Sequence, residues 1–332
     1  MKKIWVTFLL VCLLISAPAF CVPKSNTPVR AFHFVLLNIS LEEAKHLVDK
    51  ASEYQFNTLV LDLLWGASVK LKTFPWTVDT NPWEKEDLLS FVQYAQKHGI
   101  RVIPEMHLLS HQQVLLNRYR PDLSYNQQTY DPRKAEVYKI LLPMIDEVID
   151  LIHPDAFHIG HDEVVGWAIS NWGKFLNIGE HSLPANLFYE DVMIFHQHLR
   201  KKNINTWMWG DMLVAVNEVP GMNNDSLHGQ MTGYGEPLRK KLPLDIVVCD
   251  WHYSGAQRDF LSIKLAASAG HRVLGATWDD LTTTNNFSKY AANHKAEGMI
   301  LTLWSYVQLK EWGKVDNLMN ESGKIFNRDF PN

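Results

Sequence analysis

Short apolar runs of strand length take turns with longer segments of helical period along almost the whole chain, and this alternation most restricts the fold. The strand-like runs are residues 32–37, 58–65, 101–106, 156–160, 205–209, 245–250, 272–277 and 298–303. Helix patterns stand between them. The first opens at Ser40, with Glu43 three residues on as a capping-box partner; the others cover 83–98, closed by Gly99, then 132–152, 186–202, 257–269 and 285–296. The stretch after the fifth run is poorly marked, and an insertion rich in aromatics and proline follows the second. Runs that are apolar throughout suit parallel strands covered on both faces. Eight such units over about 280 residues predict the α/β class and a (β/α)8 TIM barrel forming one domain over 22–315, with a C-terminal extension at 316–332. An open doubly wound sheet is the rival, but no glycine-rich phosphate loop follows the first run.

At the N-terminus, Lys2 and Lys3 precede an apolar run over 4–15 and small-residue cleavage sites at Ala17-Pro18-Ala19 or Ala19-Phe20-Cys21. Residues 1–21 therefore read as a signal peptide, and the expected location is secreted or periplasmic. A retained anchor would need about 20 apolar residues, and Pro18-Ala19-Phe20 is a poor lead-in for a lipid-modified Cys21. Signal removal leaves Cys249 alone, so no disulfide is expected and stability must come from the core, for which 46% hydrophobic content suffices. A net charge of −4 without a basic block argues against nucleic acid. No later segment is long and apolar enough to span a membrane, and no cofactor is expected.

In a barrel of this kind chemistry collects at the carboxyl ends of the strands. Polar and aromatic residues gather there: Glu105 and His107 after the third run, Asp162 and Glu163 after the fourth, Trp209 and Asp211 after the fifth, Asp250 to Tyr253 after the sixth, Trp278 to Asp280 after the seventh, Trp304 and Tyr306 after the eighth. Four of the twelve tryptophans, Trp209, Trp251, Trp278 and Trp304, take equivalent places. One alone is ordinary core; four beside carboxylates suit the apolar faces of a sugar.

The acidic pair Asp162-Glu163 has an internal control in Asp146-Glu147, which lies on the polar face of the 132–152 helix and reads as ordinary surface charge. On the fourth run, alternation puts Ala156, His158, Gly160 and Asp162 on one face, and Phe157, Ile159 and His161 on the other. The apolar set belongs against the helices, so His158 and Asp162 point into the barrel while Glu163 swings over its mouth. Unequal exposure then lets two adjacent carboxyls hold different protonation states.

His158-Ile159-Gly160-His161-Asp162-Glu163 resembles the strand-four signature His-x-Gly-x-Asp-Glu of glycoside hydrolase family 20, the β-N-acetylhexosaminidases. Arg101-Val102-Ile103-Pro104-Glu105 with the later His111, and Trp209-Gly210-Asp211, are similar to its third and fifth strands, so the likeness runs from about 32 to 306. The resemblance implies a carbohydrate partner bearing a 2-acetamido sugar, whose own acetamido oxygen attacks the anomeric carbon. It makes Glu163 the general acid and base and Asp162 the group that orients the acetamido N–H. It gives the tryptophans the acetamido methyl to enclose, His111 and Glu105 the support of the acid or contacts to hydroxyls, and Tyr253 the acetamido oxygen.

The chain departs from the family at four places. The first strand ends in Leu36-Leu37-Asn38, where an arginine is usual, with Arg30 lying before it. The second ends in Trp65, and His107 stands where aspartates are common. Ser305-Tyr306 replaces an acid after Trp304. These positions bind sugar hydroxyls in the family, so a shifted sugar preference is expected. Two other readings stay open: a metal hydrolase using His158, His161, Asp162 and Glu163, and a carbohydrate-binding protein without catalysis. His158 reads more simply as a satisfied barrel histidine that touches the acid pair from below, His33 takes the same core reading, and nothing specific is expected of His161.

Overall fold

The structure is a computed structural model that describes residues 27–63, 68–77, 79–164, 179–223 and 225–332. The signal-peptide segment and Trp65 lie outside the described residues. Eight parallel strands close in chain order into a barrel: β1 (Val29–Val35), β2 (Thr58–Asp62), β3 (Arg101–Leu108), β4 (Ala156–Gly160), β5 (Asn205–Trp209), β6 (Val247–Trp251), β7 (Arg272–Thr277) and β8 (Gly298–Thr302). The ring is sealed by β8 against β1, with Val29 opposite Gly298 and His33 opposite Thr302. This is the expected (β/α)8 barrel.

Ten helices are described: α1 (Leu41–Glu53), α2 (Lys85–Lys97), α3 (Leu116–Tyr119), α4 (Ala135–Ile152), α5 (Ala185–Arg200), α6 (Glu236–Lys241), α7 (Leu261–Ser268), α8 (Leu281–Asn293), α9 (Trp304–Gln308) and α10 (Trp312–Asp329). Ser40 caps α1 as its sequence predicts: the Glu43 N–H donates to Ser40 Oγ, and Glu43 Oε2 accepts the Ser40 N–H at 2.8 Å. Strand alternation divides the core into two shells. Ala31, Val60, Ile103, Ala156, Trp207, Trp209, Cys249 and Leu274 fill the barrel interior. Phe32, Phe34, Phe157, Ile159 and their counterparts meet the helices.

Three boundaries move, each for a physical reason. β1 starts at Val29 because Arg30 is buried, its guanidinium donating to Gln55 O (2.9 Å), Phe330 O (3.0 Å) and Asn332 Oδ1 (2.8 Å); a charge so satisfied does not interrupt a strand. β2 stops at Asp62 rather than at Trp65, so an acid does end the second strand. The boundary expected at Val315 falls inside α10, whose Val315, Leu318, Met319 and Phe326 are buried, and the residues after 315 belong to the helical layer. After β5 the layer is the six-residue α6, too short to show a period. Asp146 and Glu147 are not idle surface charges either. Asp146 Oδ1 lies 2.6 Å from His198 Nε2, and Glu147 accepts the N–H groups of Lys72 (2.9 Å) and Thr73 (2.8 Å), tying the insertion after β2 to α4.

Candidate active site

The carboxyl ends of the strands open into a cavity of about 730 Å³. Asp162 and Glu163 lie in its wall, within the turn that follows β4. That turn is held in left-handed backbone geometry, with φ of +72° at Gly160, +67° at His161 and +51° at Glu163. Only glycine fits the first position, since a Cβ there would come within 3.0 Å of His107 Cα on β3. Non-glycine residues at such φ are strained, and strain of this kind collects where a side chain must be aimed.

Asp162 is held from one side. His111 Nε2 approaches its Oδ2 at 3.2 Å, Ser110 Oγ donates to Oδ1 at 3.5 Å, and His107 Nδ1 lies 3.6 Å from Oδ1. His111 sits in a left-handed position after β3, φ +57°, and its Nε2 is also 3.7 Å from Glu163 Oε2. Glu163 is steered through its backbone, because its N–H donates to Asp211 Oδ2 at 2.8 Å. Asp211 also accepts from His228 Nδ1 (2.8 Å) and Trp251 Nε1 (3.4 Å), so one buried carboxylate joins β4, β5, β6 and the loop bearing His228.

The two carboxyls are driven apart electrostatically. Burial opposes charge on Asp162, yet the adjacent His111 and His107 outweigh it and hold the group well below the usual carboxylate range. Burial lifts Glu163 above that range; His111 counters this in part, and the charges of Asp162 and Asp211 add to the rise. His111, His107 and His228 are all raised, their carboxylate partners exceeding the cost of burial.

Trp251 and Tyr253 stack at 4.8 Å, Trp278 meets Tyr253 edge-on at 5.7 Å, and Trp304 Nε1 donates to Tyr253 Oη at 3.0 Å. With Trp209 they form one aromatic wall of the cavity. Trp304 opens α9 rather than ending β8. The Tyr253 hydroxyl is pushed well up by burial, which keeps it a donor. Val35, Leu37, Gln308 and Leu309 also line the cavity.

Not every expected contact reaches the cavity. Glu105 lies beneath it, fully buried between His33 Nε2 (3.1 Å), His158 Nδ1 (3.2 Å) and Trp209 Nε1 (2.8 Å); burial of its charge is overcome by His158 and His33, which hold it well below the usual range. His158 thus touches Glu105 and not the acid pair, and Asp211 acts from behind. Three residues not singled out from the sequence, Asp62, Asp225 and His228, belong to the region, together with Asp279 from the group at the end of the seventh run. Asp62 faces His107 Nε2 at 3.0 Å. Asp225, His228 and Asp279 line the cavity. Tyr306 donates to Asp279, which places the hydroxyl beside an acid supplied from β7. An aspartate breaking the apolar run Leu59-Val60-Leu61-Asp62 was the available signal for Asp62; His228 sits in irregular loop and gave none.

The donor set weighed for a metal is not assembled, because His161 Nε2 turns to Asp191 on α5 at 3.0 Å while His158 turns inward. His107, His111 and Asp162 bring donor atoms within 4.8 Å of one another, and their ion pairs account for that cluster without a cation. Among the described residues no helix is long and apolar enough to cross a membrane.

A parallel barrel with an acid pair and an aromatic wall at its carboxyl mouth defines a carbohydrate-active class. Residues 39–324 match glycosyl hydrolase family 20, catalytic domain, and the chain belongs to that family. Among curated relatives, a beta-hexosaminidase of Vibrio furnissii is 25% identical over 161 residues, 37% of this chain and 26% of the relative. Beta-hexosaminidase subunit A2 of Dictyostelium discoideum is 29% identical over 203 residues, 55% and 36% of the two chains. A lacto-N-biosidase of Bifidobacterium bifidum is 24% identical, covering 57% of this chain and 18% of its own. The matches thus span only about a fifth to a third of these relatives. The fold is shared with the beta-N-acetylhexosaminidase from Bacteroides fragilis, at a TM-score of 0.65 and 18% identity over 90% of this chain and 65% of that one. Dispersin B shares it at 0.57 and 16% over 90% and 98%.

Proposed function

We propose that the protein is an exported glycosidase that removes β-linked N-acetylhexosamine from glycans by substrate-assisted, retaining hydrolysis. The observation that carries this is the division between neighbouring carboxyls. Asp162 is an anion braced by two imidazoles; Glu163, beside it, favours its proton. Glu163 gives that proton to the glycosidic oxygen as the bond from C1 breaks. The acetamido carbonyl oxygen forms the new bond to C1, and Asp162 accepts the acetamido N–H and offsets the positive charge of the resulting oxazolinium. Glu163, now a carboxylate, takes a proton from water whose oxygen attacks C1 and reopens the ring with retained configuration. The aromatic wall of Trp209, Trp251, Tyr253 and Trp278 suits the acetamido methyl, and the Tyr253 hydroxyl suits its oxygen. Export rests on the signal-like N-terminus, with the periplasm or medium as destination.

Release of nitrophenol from paired N-acetylglucosaminide, N-acetylgalactosaminide, glucoside and galactoside tests the reading. Turnover confined to the acetamido sugars is expected. Equal turnover of the plain sugars would overturn it, and no turnover of any would favour a binding protein.

A further inference from the structure

Behind Asp162 lies a second carboxylate that the proposed mechanism does not use. Asp62 ends β2 with no solvent exposure. Its Oδ2 meets His107 Nε2 at 3.0 Å, and the other nitrogen of the same ring, Nδ1, points to Asp162 Oδ1 at 3.6 Å. Asp62, His107 and Asp162 therefore form a line across the ends of three successive strands. An imidazole set between two carboxylates donates through both nitrogens when it carries its proton, and each carboxylate favours that form. The charged groups facing His107 are Asp62 from β2, Glu105 from β3 and Asp162 from β4, with the His111 ring edge-on at 5.2 Å. Neither Asp62 nor His107 lines the cavity, so both act through Asp162.

We propose that Asp62 and His107 are positioning residues that fix the carboxylate of Asp162 toward the acetamido group and keep it anionic there. The inference rests on the reading of Asp162 as the acetamido partner. Asp62 matters as much as the histidine. An imidazolium facing Asp162 alone would cancel its charge, whereas one shared with Asp62 braces Asp162 and leaves the line Asp62-His107-Asp162 a net negative charge beside the developing oxazolinium. His107 stands where the family commonly carries an aspartate, and Asp62 supplies a carboxylate one strand away.

The test measures kcat and KM across pH for Asp62→Asn and His107→Asn, using nitrophenyl N-acetylhexosaminide together with its N-fluoroacetyl and N-difluoroacetyl analogues. Misplaced catalytic groups cost up to about 100-fold. For Asp62→Asn a loss of that order is expected in kcat with KM little changed, and the acidic limb of the profile should move to higher pH as Asp162 loses its cation. His107→Asn keeps an N–H donor near the Nδ1 position and loses the reach to Asp62; it should recover part of the rate of a His107→Ala control. A wild-type rate and profile in Asp62→Asn, or a rate loss with an unmoved acidic limb, would overturn the proposal. If Asp62→Asn does not fold, the acidic limb of His107→Asn against that of the wild type decides: it should move to higher pH, and an unmoved limb would overturn the proposal. Wild-type rates should fall steeply with each fluorine, because the acyl oxygen becomes a poorer nucleophile. A flat fluorine series in the wild type would mark the failure as that of the acetamido reading itself, whereas a steep series with unaffected variants would discard the relay alone.

Discussion

Glu163 and Asp162 are adjacent in the chain, yet their surroundings give them opposite demands. Glu163→Gln removes a proton donor without changing shape, so hydrolysis of substrates with poor leaving groups should fall by about 10²–10⁴ while the melting temperature stays near wild type. Steady-state rates beside a thermal melt check this. The pH dependence follows from the two directions of shift. In the proposed mechanism the first step needs Glu163 protonated, so it is lost as pH rises through a value lifted above the ordinary one. It needs Asp162 ionised, so it is lost on the acid side only as pH falls through a value depressed below the ordinary one. The plateau of kcat/KM should therefore reach further on both sides than two ordinary carboxyls would allow. A basic limb at about 4.3, the unperturbed glutamate value, would contradict the assignment. The acid pair was legible because His158-Ile159-Gly160-His161-Asp162-Glu163 is contiguous in the chain. Its electrostatic support was legible only in part: His107 and Asp211 stood at strand ends, whereas Asp62, inside an apolar run, and His228, in an irregular loop, meet the pair only through the fold.

Among the elements, the β1–β8 seam carries a tight backbone constraint. Gly298 lies in the seam, where an added Cβ would fall 1.9 Å from Val29 O. No side-chain rotation relieves a clash with backbone, so Gly298→Ala should destabilise the fold by more than about 3 kcal/mol, beyond the usual range for one substitution. A urea midpoint checks this. Glu147, braced by Lys85, Thr73 and the Lys72 N–H despite some burial, is held down at about 2. Its folded value lies below the unfolded one, so its contribution is complete above the ordinary carboxylate range and disappears as pH falls toward 2. Glu147→Gln should therefore flatten the acid side of the stability curve. Strands were readable at β4, β5 and β7, whose expected and observed ends coincide. They were misjudged where a satisfied polar residue sat inside one, as with Arg30 in β1, or where an apolar loop followed one, as after Asp62.

For the whole molecule, the last helix is part of the wall. α10 packs on β1, β8 and α8, and the Arg30 guanidinium reaches the carbonyl of Phe330 from the opposite end of the chain. Deletion of 316–332 would remove Leu318, Met319 and Phe326 and expose the apolar surface they cover, Phe56 and the outer face of β1 included, and the truncated protein should fail to accumulate in soluble form. Soluble yield and circular dichroism of the shortened chain check this. Barrel topology was legible from eight alternations, a pattern that single misplaced ends do not disturb. The cavity's reach was not, since it depends on loops without period.

The seam also has a consequence in time. β1 is made early, and its second neighbour, β8, emerges from the ribosome roughly 260 residues later. Until then every shorter nascent chain can be at best an open sheet with two unpaired edges, and contacts so distant in sequence form slowly. Synthesis thus delivers a partner-seeking edge long before its partner, and the chain depends during that interval on being kept from pairing with its neighbours.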